Sequence, residues 1–314
     1  MLARVANNLF WMGRYIERSE HIARYLCVNY FSSLDAPNIH SQSRQFVLES
    51  MMYMVGEPSA KGEKLKESDV LLNIGLNLDK SYSIINCVKL ARENANSARD
   101  LISTELYEAI NKFYHFVLNY SVEDFLKKGL YDFTTNVMEY TAILKAKIRT
   151  TLLYDEVFSI IKLGVNLDRA TQTIRIINTK YNDIRMISEQ DNSTIDVSLE
   201  WSTLLKCVES YDMMNRFQKS APSTKNTLDF LILNNKCPRS VINSLEEMTN
   251  YVQVLSSEKN PPKDSAIFLV NKIYAEYKYK YIEEIEIDFQ SFIENILDNL
   301  VKISTKLEDE YFNY

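Results

Sequence analysis

Charged side chains at helical spacing are the groups in this sequence best placed to do chemistry. Arg14, Glu17, Arg18, Glu20 and Arg24 fall close together. Glu17 is three residues after Arg14 and three before Glu20, and Glu20 is four before Arg24, so one helix can pair several of its own charges along one side. Two uses follow from such a set. It can be an interior ion-pair network that locks helices in register, which is costly unless every charge is paired and hydrogen-bonded. It can also line a cleft for an anionic or peptide-like ligand or partner segment, because the planar guanidinium fork holds a carboxylate or phosphate through two hydrogen bonds. Further charges sit among small or apolar residues at Arg92 and Glu93, at Asp168 and Arg169, at Arg175, and at Arg239 beside Ser240.

Familiar catalytic patterns are absent. The chain has no H-E-x-x-H, no Walker glycine loop, no G-x-S-x-G and no D-D-x-x-D. His21, His40 and His115 are far apart, and none has a carboxylate at the E-x-x-H interval used by di-iron bundles. No catalytic residue, metal site or cofactor is therefore assigned. Cys27, Cys87, Cys207 and Cys237 are single, never C-x-x-C, and read as buried small hydrophobes of a reducing compartment.

The elements that must carry these charges are helices. With 6 glycines and 6 prolines in 314 residues, turn-formers are too few for many short strands, which favours long helices joined by polar loops. The spacing predicts a first helix over Leu2 to Tyr30. Val5, Leu9, Met12, Ile16, Ala23 and Leu26 form one apolar stripe, while Arg4, Trp11, Tyr15, Arg18, Ile22 and Tyr25 form a second. A helix apolar or aromatic on every side is central, which places Glu17 and Arg18 where water is scarce. Further helices are predicted at Ser43–Val55, Tyr82–Ser103, Glu105–Tyr120, Val122–Lys128, Tyr131–Leu153, Asp155–Asn178, Val197–Phe217, Thr227–Asn234, Pro238–Leu255 and from Asp264 onward, past Asn260-Pro261-Pro262. Residues 180 to 196 read as a loop.

The balance of 36 basic to 42 acidic residues gives a net charge of -6, which argues against a general nucleic-acid or anionic-membrane surface. No apolar run reaches the roughly 18 residues of a membrane helix and no signal-peptide pattern is present, so a cytoplasmic protein is expected.

One spacing recurs. Gly13, Glu17-Arg18 and Arg24 return 151 positions later as Gly164, Asp168-Arg169 and Arg175, and the stretch Ser83 to Val88 resembles Ser240 to Leu245. The expectation is a single all-α domain over 1–314, a multi-helix bundle made of two related halves, about 1–150 and 151–314, packed about a pseudo-twofold axis with the Gly13 and Gly164 helices in contact.

The opening from Met1 to Arg18, with Trp11-Met-Gly-Arg-Tyr-Ile-Glu-Arg18 at its centre, resembles the signature of the bacterial alpha-E family, all-helical proteins named for a Glu-Arg motif. Ala91-Arg-Glu-Asn-Ala95, Leu163-Gly164, Leu167-Asp-Arg-Ala170, Trp201, Phe230-Leu231, Pro238-Arg-Ser240 and Tyr311-Phe312 are similar to its later landmarks. Two positions depart: Asp168 stands where the second motif more often has Glu, and Val165 where it has Arg. An independent ligand site at the second motif is therefore not expected. The family's biochemistry is largely undefined. The resemblance implies a setting beside ATP-grasp-like ligases and transglutaminase-like peptidases, in a peptide synthesis or modification system. The expected role is a non-catalytic interaction protein that holds such a partner or its peptide. The rival reading is an enzyme using its Glu and Arg clusters on an amide or carboxylate substrate.

Overall fold

The computed structural model describes residues 2–35, 43–60, 62–190, 197–256 and 261–312. His40 and the segments 191–196 and 257–260, which hold parts of the expected loop and of the Asn260 breaker, lie outside them. All regular structure among the described residues is helical.

Two long helices organise the chain: α1 (Ala3–Asp35) and α7 (Glu156–Gln190). Both are apolar round most of their circumference. In α7, Ile160, Ile161, Leu163, Val165 and Leu167 point in successive directions and are all buried, so neighbours must cover every side. Those neighbours come in two sets. Helix α4 (Ile84–Ser97) packs on α1 and α5 (Thr104–Asn119) on α4, while α11 (Val241–Leu255) packs on α7 and α12 (Ala266–Lys278) on α11. Helices α2 (Arg44–Val55) and α8 (Ser198–Cys207) each touch both α1 and α7. Helix α6 (Val122–Thr151) lies along α1, and α14 (Phe289–Leu307) along α7. Shorter helices α3 (Glu67–Gly75), α9 (Tyr211–Phe217), α10 (Thr224–Ile232) and α13 (Ile282–Ile287) connect these. A last π-helical turn, Glu308–Phe312, brings Phe312 to 5.1 Å from the Phe10 ring of α1.

Local chemistry sets the helix starts. Ser83, Ser103, Ser121, Ser223, Ser240 and Ser265 each accept a hydrogen bond from the backbone N–H three residues on, a cap worth about 1 kcal/mol. Gly129 breaks α6 with φ 83° and ψ 171°, a conformation that only glycine adopts readily. The sequence places two helices on either side of that point.

Four expectations differ from the structure. The first helix runs on past Tyr30 to Asp35. Residues 180–190 continue α7 rather than forming a loop, because Lys180, Asp183 and Ile187 are buried against neighbouring helices. The helix expected over Val197–Phe217 breaks at Glu209, whose φ is 56°. The run after Asp264 divides into α12, α13 and α14. Asp288 caps the last of these, and Tyr277 is buried in α12 while Tyr279 and Tyr281 are exposed.

Candidate functional site

At the α1–α7 crossing the two backbones touch. A Cβ on Gly13 would collide with the Ile161 carbonyl oxygen, and a Cβ on Gly164 with that of Phe10. The contacts are reciprocal: Gly13 also faces the Val165 nitrogen, and Gly164 the Arg14 nitrogen. Any side chain at either position pushes the helices apart, so glycine here sets the interhelical distance.

That distance lets the charges on each helix reach the other. Glu17 of α1 is fully buried. Its Oε1 accepts from Arg169 Nε at 2.7 Å and Arg239 Nη1 at 3.3 Å, with His21 Nε2 also at 3.3 Å. Lys145 Nζ of α6 lies 2.8 Å from Oε2 and also pairs with Glu20. Glu20 accepts in addition from Arg24 Nη2 at 2.9 Å and Arg239 Nη2 at 3.1 Å. Glu209, held in its left-handed conformation, closes the set by pairing with Arg239 and with Arg24. Burial alone would push the carboxyls of Glu17 and Glu20 upward. For Glu17, Arg169, Lys145, the His21 hydrogen bond and Arg239 outweigh it and hold the group well below the usual range; Lys145 and Arg239 do the same for Glu20. Burial dominates at His21 and lowers its pKa despite Glu17.

Asp168 of α7 makes the matching cluster. Its carboxylate accepts from Arg18 Nη2 at 2.6 Å, Arg18 Nε at 3.2 Å and Arg14 Nε at 3.3 Å. Burial raises it, and the two arginines overcome this to leave it below its ordinary value. Arg14 also donates to Ser304 Oγ of α14 and stacks 4.3 Å over the Trp11 ring.

The two clusters bring together Gly13, Arg14, Glu17, Arg18, Arg24, Gly164, Asp168, Arg169 and Arg239. Other sequence candidates lie elsewhere. Arg92 donates to Asn111 and stacks on Tyr114 between α4 and α5, remote from Glu17. Glu93 is exposed near Lys89. Arg175, the counterpart of Arg24, is at the surface and joins neither cluster. Ser240 is buried and caps α11, which positions the preceding Arg239.

Sequence reasoning missed Lys145 and Glu209 and also a second buried set. Lys180 Nζ lies 3.3 Å from Asp183 and 3.2 Å from Glu200, while Ser50 Oγ donates to Asp183 and bonds Tyr25 Oη at 2.7 Å. Burial lowers Lys180, but Glu200 and Asp183 outweigh it and keep its ammonium charged. This set ties α1, α2, α7 and α8 together away from any lined cavity of the Glu17 cluster. The i, i+3 spacing of Lys180 and Asp183 was its only sequence signal. All four cysteines are free, and burial pushes the Cys87 and Cys207 thiols up to about 12, which leaves them protonated and poor nucleophiles at neutral pH.

The Glu17 cluster has one outer edge. Lys145 and Arg169, having met Glu17 from outside α1, also line a pocket of about 690 Å³ between α6, α7 and α11. Lys162, Glu247, Phe158 and Tyr251 complete its inner wall. Its volume lies within the range of about 300–1,000 Å³ usual for small-ligand sites. Glu17 and Glu20 are sealed behind the cations, so on this side the arrangement offers a visitor mostly cations and aromatic faces, with Glu247 among them.

Among the described residues no helix is long and apolar enough to cross a membrane. No curated protein and no solved structure matches the chain. A family model does: it covers residues 1–312 and is described as Alpha-E, a predicted alpha-helical domain with a conserved ER motif. Glu17 and Arg18, joined across the α1–α7 crossing to Arg169 and Asp168, are the Glu-Arg pair of this chain, which belongs to the Alpha-E family.

Proposed function

We propose that this chain is a non-catalytic helical binding protein that acts with an ATP-grasp-like ligase, or with its peptide substrate, in a peptide synthesis or modification system. A transglutaminase-like protein is the second candidate partner. The observation that carries the non-catalytic part is the closure of the motif. A general acid, base or nucleophile must touch its substrate, whereas Glu17, Glu20 and Asp168 are 0–4% exposed and committed to Arg and Lys partners. The motif is then a scaffold device, and the rival reading of an enzyme acting through these clusters on an amide or carboxylate is left with Glu209, the cluster's exposed carboxylate, which is itself paired with Arg239 and Arg24. The identity of the partner rests on the family resemblance. The site of action is the cytoplasm on this reading.

We further infer two related halves about a pseudo-twofold axis. The reciprocal contacts of Gly13 and Gly164 support this, as do the Glu17–Arg169 and Arg18–Asp168 pairs, which exchange places under the same offset. Serine caps on α4 and α11, each packed on its own long helix, agree with it.

The test uses the purified chain. Alone it is expected to show no turnover of ATP or of peptide amides, and added to an ATP-grasp-type ligase from the same cell it is expected to co-purify and change that ligase's rate. Turnover by the chain alone that disappears in a folded Glu20→Gln variant would replace this reading with the enzymatic one.

A further inference from the structure

We propose that the pocket between α6, α7 and α11 is a binding site for a small organic anion: a carboxylate or phosphate head held by Lys162 beside Lys145 and Arg169, with an apolar body against Phe158, Tyr251 and Val254. This goes beyond the partner reading and does not depend on it.

The argument starts from charge that the fold leaves uncompensated. Lys145, Arg149, Lys162 and Arg169 line the pocket against the single carboxylate Glu247. Lys145 and Arg169 already have Glu17 or Glu20 as partners. Lys162 differs from both. It is only partly exposed, its Nζ lies 5.8 Å from the Tyr251 ring centroid, and among the described residues no carboxylate pairs with it. Glu247 instead accepts the Tyr251 hydroxyl, which raises the tyrosine pKa together with burial. Burial, then Arg169 and more weakly Lys145, push the Lys162 ammonium below its ordinary value despite the opposing pull of Glu17 and Glu247. A half-buried cation beside two others and without an ion pair is a state the folded protein would relieve by binding an anion, and an anion arriving there gains charge-assisted hydrogen bonds in a partly desolvated site.

The shape selects more than charge. Phe158 and Val165 are buried at the base of the pocket, Tyr251 is half-buried, and Tyr154 and Val254 stand exposed at its mouth. Small inorganic anions would satisfy Lys162 and leave these apolar surfaces wet. A ligand with a flat or branched hydrocarbon portion covers both, as small-molecule sites usually do with a few polar groups in an apolar lining. The position that matches Lys162 in the other half, by the offset that relates Gly13 to Gly164, is Trp11. Its ring lies 5.5 Å from that of Tyr15 and 4.3 Å under the Arg14 guanidinium, so an aromatic stands there in place of a lysine without an ion pair. The cation that marks the pocket thus has no counterpart at the matching position.

Calorimetric titration of the intact chain with N-acetylphenylalanine, phenyl phosphate and N-acetylphenylalanine amide tests the proposal. At least one of the two anions is expected to bind, and the neutral amide is expected to bind more weakly or not at all; which anion binds better identifies the head group. Lys162→Gln is expected to weaken anion binding by about tenfold or more, the scale of a hydrogen bond to a charged group. Lys162 carries no structural ion pair, so this variant keeps the fold, as circular dichroism will verify. Val254→Glu, at an exposed position, supplies an independent arm and should weaken binding by repulsion. The proposal is overturned if neither anion binds, if the amide binds as well as the acid, or if the folded Lys162→Gln variant binds unchanged. A rate effect on a partner ligase that survives these outcomes would leave the partner reading standing without this site.

Discussion

The two ends of the α1–α7 crossing use the same residue types and solve different problems. On the Glu17 side, two carboxylates share Arg169, Lys145, Arg239 and Arg24, drawn from α1, α6, α7 and the turn before α11. On the Asp168 side, one carboxylate serves Arg14 and Arg18, both from α1. The first arrangement is partly redundant: if Glu17 loses its charge, Glu20 still neutralises Lys145 and Arg239, and Arg169 alone is left without its carboxylate. The second is exclusive, because no other carboxylate makes an ion pair with Arg14 or Arg18 among the described residues. Redundancy goes with a pocket beside Lys145 and Arg169, exclusivity with a guanidinium stacked on Trp11. A binding site can be set beside the first without endangering the fold.

The largest expected effect separates the two sides. Asp168→Asn strands two partly buried arginines at a buried site and should cost up to about 3 to 5 kcal/mol, while Glu17→Gln should cost less by about 1 kcal/mol or more, the scale of one hydrogen bond to a charged group. Urea denaturation at neutral pH decides, and an equal or larger loss for Glu17→Gln breaks the comparison. The same variants sharpen it with pH. The Asp168 carboxyl is held below its unfolded value of about 3.9. Its stabilisation is therefore complete above that value and drains away as the pH falls through the lower folded pKa. Wild type should lose stability in acid more steeply than Asp168→Asn, whose acid limb is expected to be flatter.

An intermediate effect is expected at the glycines. Gly13→Ala and Gly164→Ala each force backbone apart from backbone, and overpacking of this kind costs about 1–3 kcal/mol. Reciprocal contacts imply similar losses. Thermal unfolding of the two variants showing losses that differ by more than about 1 kcal/mol, well beyond the roughly 0.5 kcal/mol scatter of independent sites, would mean that the crossing is not shared evenly and would weaken the case for related halves.

The smallest effect has the opposite sign. Lys162 has its pKa depressed in the folded state, so its charged form is disfavoured by folding at neutral pH, and the stability it withholds returns only as the pH rises above the folded pKa. Lys162→Gln should leave stability at pH 7 unchanged or raise it in the same urea experiment. A clear loss would show an unrecognised structural role on the open side.

Much of the frame was legible in the residues. The two apolar stripes of α1 gave its central place, and the gap between the helices expected at Val122–Lys128 and Tyr131–Leu153 falls on the Gly129 break in α6. The 151-residue offset pairs Gly13 with Gly164 in the residues alone, because a repeated glycine inside otherwise apolar helices is costly unless two backbones approach. The Glu20–Arg24 pair followed from helical spacing. What was not legible depends on tertiary neighbours. Lys145 sits in Leu144-Lys-Ala-Lys147, where nothing distinguishes it from Lys147. Glu209 acts from a break in what read as one helix. Lys180 and Asp183 were hidden by the polar composition of 180–190, where burial against α2 and α8 overrides a loop-like sequence. The pocket itself has no sequence signature, since its walls come from three helices and its most informative residue, Lys162, is notable for the partner it lacks.

The crossing also sets a timetable for folding. Glu17 takes its partners from residues 152 and 222 positions away, and Glu20 from one 125 positions away. While the chain is being made, α1 therefore emerges with Glu17 lacking its cationic partners and Glu20 holding only Arg24 of its own helix, and burying them is costly until α6, α7 and Arg239 arrive. Contacts of such long range are slow to form because the intervening chain must close first. The buried charges that fix the register at the end of folding are the same groups that keep α1 from collapsing onto the wrong helix at its beginning.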